Sequence, residues 1–218
     1  AGKLDGFVLD KDTKRIFIKG ADFEAIFDPQ TGSIYSLKYG NETVISDGNG
    51  PKLDALRAFT NNDNWFYAPW FEDGLHNLIH KASEYKVLNK GNGTLVLSFT
   101  VESQAPNAAR IKGGTSSGKN SIEELTDRKF GSNDFKFITN QIWTVYPDGS
   151  IELQSSITSN RSSLVLPRLG YVMKVPQQYS NFTYYGRGPV DNYADRKSGQ
   201  FIEQYTNCLL YTSPSPRD

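Results

Sequence analysis

A short segment of amide, carboxylate and aromatic side chains is the part of this sequence best suited to bind a small polar ligand. Amide and carboxylate groups hydrogen-bond to sugar hydroxyl groups, and an aromatic face packs against a pyranose ring. The pattern predicts a carbohydrate-contacting loop. The alternative interpretation is a polar loop whose aromatic residues anchor it on a hydrophobic core. The candidate substrate-binding residues are Asn61, Asn62, Asp63, Asn64 and Trp65.

Two glutamates and two histidines recur every four residues, at Glu72, His76, His80 and Glu84. On a continuous helix, histidines four residues apart can share one metal ion. Gly74 weakens such a helix, and the sequence lacks the Glu that zinc proteases carry next to the first His. We therefore interpret these residues as a solvated or capping face and predict no metal site.

Two aspartates close to two arginines form another candidate group, with Asp191 and Asp195 near Arg187 and Arg196. A carboxylate pair can perform acid–base chemistry on a sugar. More often, such residues form Arg–carboxylate bridges that hold a loop. We favour the second interpretation.

No other group of residues has the spacing of a catalytic site. Glu123 and Glu124 are adjacent, so on a strand their side chains point to opposite faces, which is typical of a surface pair. The sequence has no Gly-x-Ser-x-Gly nucleophile motif, and the Gly186–Pro189 stretch lacks the Lys and the spacing of a phosphate loop. We predict no catalytic residue in this chain.

The composition excludes several classes of partner. The chain has 218 residues, and its 24 Lys plus Arg balance 24 Asp plus Glu. A neutral chain gives no electrostatic reason to expect nucleic acid or an anionic membrane as a partner. No stretch approaches the roughly 20 apolar residues of a membrane span. The single Cys excludes an intrachain disulfide. The sequence gives no indication of the cellular compartment.

The elements that must position these side chains are predicted to be strands. Short β-branched and aromatic segments, separated by Gly, Pro, Asn and Asp turns, predict at least nine of them. The Pro147–Gly149 turn is a strong hairpin signal. Apolar residues over 70–79 predict one short helix, and the polar stretch 103–121 predicts a surface loop. The predicted fold is all-β, a large antiparallel sandwich.

The end of the sequence differs in character from the rest. The last eleven residues, Cys208 to Asp218, match one translated frame of a transposase-type sequencing-library adapter. We expect the natural sequence to stop at Asn207, with residues 1–207 as one incomplete domain and 208–218 as an unstructured artefact.

The segment from Tyr184 to Tyr205 resembles a known signature. It is similar to the Gly-x-Gly-Pro-x-Glu-Asn-Tyr-x-Asp-Arg motif in the fifth, C-terminal domain of glycoside hydrolase family 2 β-galactosidases, often called the small chain. Asp191 stands where that family usually has Glu. The matching residues are Gly186, Gly188, Pro189, Asn192, Tyr193, Asp195 and Arg196.

A second stretch, from Arg57 to Asp63, is similar to the family motif Arg-Ala-Pro-x-Asp-Asn-Asp, with Phe59 in place of Pro and Asn61 in place of the first Asp. The hairpin from Phe23 to Leu37 is a weaker likeness. The resemblance covers residues 15 to 207.

The resemblance implies a fold for this domain and separate roles for this domain and the catalytic barrel. Such domains are large sandwiches similar to galactose mutarotase. The two catalytic Glu residues of the retaining mechanism, and a divalent metal, belong to a barrel that precedes this domain. This domain lends a loop after the Asn-Asn-Asp motif to the rim of the sugar site. Residues 186–196 and Arg57 are assigned a structural role.

The resemblance therefore predicts part of a β-galactosidase that hydrolyses terminal β-D-galactosyl residues. The chain itself is expected to be inactive and to need no cofactor. Its expected partners are a β-galactoside and the catalytic barrel of the same chain, and the full-length protein is expected to be a homo-oligomer. The alternative is a non-catalytic carbohydrate-binding module.

Overall fold

The computed structural model describes residues 6–10, 14–58, 63, 66–112, 121–189 and 198–208. The chain divides into two compact units, residues 1–174 and 175–218. The described part contains fifteen strands and one α-helix, α1 (Tyr67–Glu72). The strands are β1 (Gly6–Leu9), β2 (Ile16–Lys19), β3 (Phe23–Asp28), β4 (Ser33–Tyr39), β5 (Glu42–Ile45), β6 (Lys52–Asp54), β7 (Ile79–Asn89), β8 (Leu95–Gln104), β9 (Asn107–Lys112), β10 (Ser121–Lys129), β11 (Phe137–Val145), β12 (Ile151–Ser159), β13 (Gly170–Val172), β14 (Asn181–Gly188) and β15 (Phe201–Cys208).

Two antiparallel sheets form a sandwich in the first unit. One has the order β1-β2-β3-β4-β5, and the other has the order β12-β11-β8-β7. Along β8 buried and partly exposed residues alternate strictly, and β3 shows the same alternation. A period of two buries one face of each strand, so the two apolar faces pack against each other. The buried residues of this core are Ile16, Ile18, Phe23, Ala25, Phe27, Ile34, Leu37, Ile45, Leu95, Leu97, Phe99, Val101, Trp143 and Val145. The predicted all-β sandwich is confirmed.

A second core lies under α1 and the short strands of the same unit. Trp70 and Phe71 of α1 are buried there with Phe135 and Phe137. Strand β6 pairs with β13, and β9 pairs with β10, each pair being antiparallel. This core therefore fixes strand β6, before the Arg57–Tyr67 segment, and helix α1, at its end.

The second unit contains one long hairpin. Strands β14 and β15 pair antiparallel from Asn181↔Cys208 to Gly188↔Phe201. Stacked rings of Phe182 and Tyr184, with centroids 5.9 Å apart, line one part of the hairpin. Cys208 is therefore part of a strand, although the sequence predicts an unstructured segment from this residue onward; residues 209–218 lie outside the described part.

The structure corrects two expectations about secondary structure. Helix α1 ends at Glu72, because Gly74 adopts a left-handed φ of +74°, and a 3₁₀ turn at Leu75–Asn77 follows. The expected surface loop over 103–121 instead contains β9, the end of β8 and the start of β10. The polar residues of β9 and β10 are held by backbone pairing and by ion pairs of Glu123 with Arg110 and Lys112. Residues 113–120 lie outside the described part.

No helix in the described ranges is long and apolar enough to span a membrane.

Candidate functional site

A bidentate ion pair joins Asp63, in the predicted sugar-contacting segment, to Arg57. Arg57 Nη1 lies 2.6 Å from Asp63 Oδ2, and Arg57 Nη2 lies 2.9 Å from Asp63 Oδ1. Arg57 Nε also donates to the Pro167 carbonyl oxygen at 3.2 Å. Asp63 is buried, with 8% of its surface exposed. A bidentate Arg–carboxylate pair fixes both distance and orientation, so it fixes the Arg57 and Asp63 side chains relative to each other.

Trp70 anchors the other end of the segment. Its indole N–H donates to the Val165 carbonyl oxygen at 2.8 Å, and the ring is almost fully buried. The Arg57 guanidinium carbon lies 5.9 Å from the centre of the Trp70 ring. Arg57 and Trp70 therefore both donate to carbonyl oxygens in the stretch from Val165 to Pro167. Residues on the two sides of the predicted segment are thus attached to the same stretch of chain.

Of the five candidate substrate-binding residues, the structure describes only Asp63. Its carboxylate faces Arg57, so its described contacts are those of an anchor. Asn61, Asn62, Asn64 and Trp65 lie outside the described residues. Their contact with a sugar stays a prediction.

The glycine-rich signature begins on β14. Gly188 ends the strand, and Pro189 follows it through a cis peptide bond. A Cβ atom at Gly188 would lie 2.5 Å from the Tyr184 hydroxyl oxygen and 2.9 Å from the Tyr205 ring. A side chain there would collide with both rings, whereas a Cβ atom at Gly186 meets nothing closer than 3.6 Å. Gly188 therefore has a steric reason to be glycine.

The rest of the signature is only partly described. Asp191, Asn192, Tyr193, Asp195 and Arg196 lie outside the described residues, and the Arg–Asp bridges predicted for them stay a prediction. The Tyr205 hydroxyl lies 3.1 Å from the carbonyl oxygens of Gly188 and Phe201, closing the hairpin end. Burial, followed by Glu203 and Tyr184, raises the pKa of this phenol.

The Glu and His residues spaced by four do not share a helix face. His76 lies in the 3₁₀ turn, whereas His80 and Glu84 lie on β7, where β8 pairs with them. His76 Nε2 lies 2.7 Å from Glu124 Oε1, and His80 Nδ1 lies 2.9 Å from Ser103 Oγ. Among the described residues, no three His, Cys, Asp or Glu side chains are grouped so that they could hold a metal ion.

The adjacent glutamates of β10 are separated as predicted. Glu123 contacts Arg110 and Lys112, and these hydrogen bonds, that of Lys112 first, lower its pKa. Glu124 instead contacts His76 and accepts a 2.6 Å hydrogen bond from the Asn107 amide. The pair is confirmed as two separate surface contacts.

An open cleft of about 430 Å³ lies where β6, the 3₁₀ turn, the start of β7 and the end of β13 meet. Its walls include His76 and His80 together with Lys52 and Lys174. Burial first, and then the Lys52 ammonium group, lower the pKa of His80 to about 4. His80 is therefore a neutral imidazole at neutral pH.

Sequence reasoning missed this cleft. The spacing of four between the histidines pointed to a helix, and the two lysines are more than 100 residues apart. Residues 79–84 do not alternate between apolar and polar side chains, so no local pattern placed His80 on one face of β7.

Comparison with known proteins identifies the family. The family model described as β-galactosidase small chain matches residues 19–210. This chain belongs to the β-galactosidase small-chain family. The match includes the Arg57–Asp63 anchor, the cleft and the hairpin with the glycine-rich signature.

Several curated relatives of this small-chain segment carry the name β-galactosidase. The protein from Priestia megaterium is 25% identical over 191 residues, which cover 88% of this chain and 16% of that protein. The protein from Clostridium acetobutylicum is 26% identical over 202 residues, 87% of this chain and 18% of its own length. The protein from Kluyveromyces lactis is 26% identical over 203 residues, with 89% and 17% covered. The chain thus spans less than a fifth of the length of these relatives.

Proposed function

We propose that this chain is the small-chain segment of a longer β-galactosidase that hydrolyses terminal β-D-galactosyl residues. The observation that carries the proposal is the family match over residues 19–210, together with β-galactosidases that align with most of the chain. These relatives are five to six times longer than the aligned segment, so the catalytic carboxylates are assigned to the remainder of the protein.

In this proposal the small-chain segment is an accessory sandwich that presents residues 61–65 to the rim of the sugar site. The Arg57–Asp63 ion pair and the buried Trp70 support this role, because they fix one residue before, one within and one after residues 61–65. Fixed points of this kind lower the conformational entropy that a loop loses when it binds a ligand. Trp65 would then pack its ring against the sugar, and Asn61, Asn62 and Asn64 would hydrogen-bond to its hydroxyl groups.

The chemistry itself follows from the retaining mechanism assigned to the family. One carboxylate attacks the anomeric carbon, and a second protonates the leaving oxygen, about 5–5.5 Å away. The family resemblance assigns a divalent metal to the remainder of the protein. The isolated chain is expected to be inactive, and the full-length protein is expected to form a homo-oligomer.

The test uses the full-length protein encoded at this locus. We expect it to hydrolyse 2-nitrophenyl β-D-galactoside and to prefer it over the matching β-D-glucoside and α-D-galactoside. Trp65→Ala should raise KM more than it lowers kcat, since it removes contact with the bound sugar. Tyr185→Ala, which removes an exposed ring from β14, is the matched control.

A full-length protein without β-galactosidase activity would contradict the proposal. If the isolated chain then also binds galactose saturably, the result would indicate the alternative, a non-catalytic carbohydrate-binding module.

A further inference from the structure

Several side chains that line the cleft between β6, β7 and β13 have N–H groups that no described hydrogen bond uses. His80 Nε2 and the Lys174 ammonium group have no hydrogen-bond partner within the described part of the chain. Lys52 donates one 2.7 Å hydrogen bond to the Gly48 carbonyl oxygen, which leaves its other two N–H groups available. The side-chain amide of Asn77, which also lines the cleft and can both donate and accept, is without a described partner as well.

The environment of His80 decides which of its nitrogen atoms carries the proton. The Ser103 hydroxyl is fully buried, and its one hydrogen-bond partner among the described residues is His80 Nδ1, 2.9 Å away. A buried hydroxyl proton needs an acceptor. Ser103 therefore donates to Nδ1, and the neutral imidazole carries its proton on Nε2. His80 is a donor toward any ligand that reaches Nε2.

The charge of the cleft is positive at neutral pH. Lys52 and Lys174 each carry one positive charge, and the one carboxylate on the wall belongs to Asp54. Arg168 Nη2 lies 2.5 Å from Asp54 Oδ2 and offsets that negative charge. His76, another lining residue, is paired with Glu124, which does not line the cleft. Two ammonium groups beside a carboxylate that already has a cationic partner favour an anion over a neutral ligand.

We propose that this cleft binds a small ligand bearing a carboxylate or phosphate group, with Lys52 and Lys174 at the anion and His80 Nε2–H as a neutral donor. The volume of about 430 Å³ accommodates a ligand the size of a monosaccharide. The proposal is independent of the β-galactosidase activity, because it rests on the geometry of this chain alone.

The chain offers a direct readout, since His76 and His80 are its two histidines. Imidazole ¹H–¹⁵N spectra of the full 218-residue chain contain two sets of signals, which His76→Gln assigns. At pH 7 we expect sodium phosphate to shift the His80 signals saturably, while sodium chloride at equal ionic strength does not. D-galacturonate and D-galactose form a matched pair that differs by a carboxylate, and we expect the former alone to produce the shift.

Substitution of a lysine tests whether the cleft is the site. Lys174→Ala should weaken anion binding about two- to fivefold, the range of a partly exposed charge contact. Lys174→Glu should abolish it, and neither variant removes a described side-chain contact that folding needs. Lys90→Ala, on the exposed turn after β7, is the control and should leave the affinity unchanged.

Three outcomes would overturn the proposal. The first is an unshifted His80 signal at about 50 mM phosphate and about 50 mM galacturonate, far above the dissociation constant of a millimolar site. The second is an equal response to galactose, which would make the ligand a neutral sugar. The third is an equal loss of affinity in Lys90→Ala and Lys174→Ala, which would make the effect one of net charge. Saturation by phosphate alone or by galacturonate alone supports the proposal and identifies which source of the anion the cleft accepts.

Discussion

The indole N–H of Trp143 donates a hydrogen bond to the carbonyl oxygen of Gly32, with 3.1 Å between the nitrogen and oxygen atoms. Trp143 lies on β11, and Gly32 lies in the turn between β3 and β4. The bond therefore joins the two sheets of the sandwich inside the buried core. It requires the turn to approach the opposite sheet closely, which leaves no room for a side chain at position 32.

Gly32→Ala should strongly destabilise the sandwich. Gly32 has a φ of +68°, and a Cβ atom there would lie 2.6 Å from Val101 Cγ2. The left-handed backbone costs about 1–2 kcal/mol, and overpacking adds about 1–3 kcal/mol. Urea denaturation followed by circular dichroism measures the loss. Gly40→Ala is the matched control, because Gly40 also has a positive φ but its Cβ atom would meet nothing within 4 Å. An equal loss in both variants would contradict the steric argument.

Arg57→Met should destabilise the chain and disturb sugar binding in the full-length protein. The substitution leaves the buried Asp63 carboxylate without its bidentate partner, at a cost of about 1–3 kcal/mol. Arg57→Lys keeps the charge but not the two parallel hydrogen bonds, so we expect it to recover only part of the loss. Thermal unfolding measures stability, and KM for a β-galactoside reports on the loop.

A surface pair provides the control for Arg57. Lys112→Met breaks the ion pair with the exposed Glu123 on the β9–β10 hairpin, where water screens the charges. We expect no measurable change in unfolding from this variant. A loss equal to that of Arg57→Met would show that any charge removal destabilises this chain, and would refute a special role for the Arg57–Asp63 anchor.

Stability should decrease with acid through the titration of His80. The pKa of His80 is lowered to about 4 in the folded chain, against 6.5 for an unperturbed imidazole. Between these values the unfolded chain binds more protons than the folded chain, so stability falls from about pH 6.5 and the loss is complete below about pH 4. The loss should be on the order of 3 kcal/mol.

His80→Gln should flatten this part of the profile, and His76→Gln, which replaces the other histidine of the chain, is the control. Urea denaturation of the three proteins at pH 7.5, 5.5 and 4.5 makes the comparison. Carboxylates also titrate near pH 4, so the difference between wild type and His80→Gln is the informative quantity. Parallel profiles in the two proteins would contradict the lowered pKa.

The sequence predicted the parts of the fold that carry a local signal. Strands such as β3 and β8 alternate between buried and exposed residues, and this period of two is visible in the sequence because one face must be apolar. The Pro-Asp-Gly sequence at Pro147–Gly149 itself predicts a turn, and the strands β11 and β12 that it joins pair in register over their whole length.

Features that depend on distant partners were missed. Strands β9 and β10 are mostly polar, and they are placed by their pairing with each other, which no local pattern shows. The end of α1 depends on Gly74, whose Cβ atom would lie 2.2 Å from the Cβ atom of the buried Ala105. The sequence identified Arg57 and Asp63 through resemblance, but their bidentate pairing required the structure.

The cleft was beyond sequence reasoning, because Lys52 and Lys174 come together only through the pairing of β6 with β13.

Gly188→Ala should disrupt the hairpin of the second unit. Its Cβ atom would lie 2.5 Å from the Tyr184 hydroxyl and 2.9 Å from the Tyr205 ring, so both rings must move. Movement of Tyr205 would break its contact with the Gly188 carbonyl oxygen, and we expect a loss of about 1–3 kcal/mol from overpacking at Gly188. Near-ultraviolet circular dichroism reports on the tyrosine rings, and limited proteolysis reports on opening of the hairpin. Gly186→Ala is the matched control two residues earlier on β14, where the nearest atom is 3.6 Å away. If the two variants behave alike, the collision with Tyr184 and Tyr205 is not the reason that glycine occupies position 188, and the structural role assigned to this signature residue is wrong.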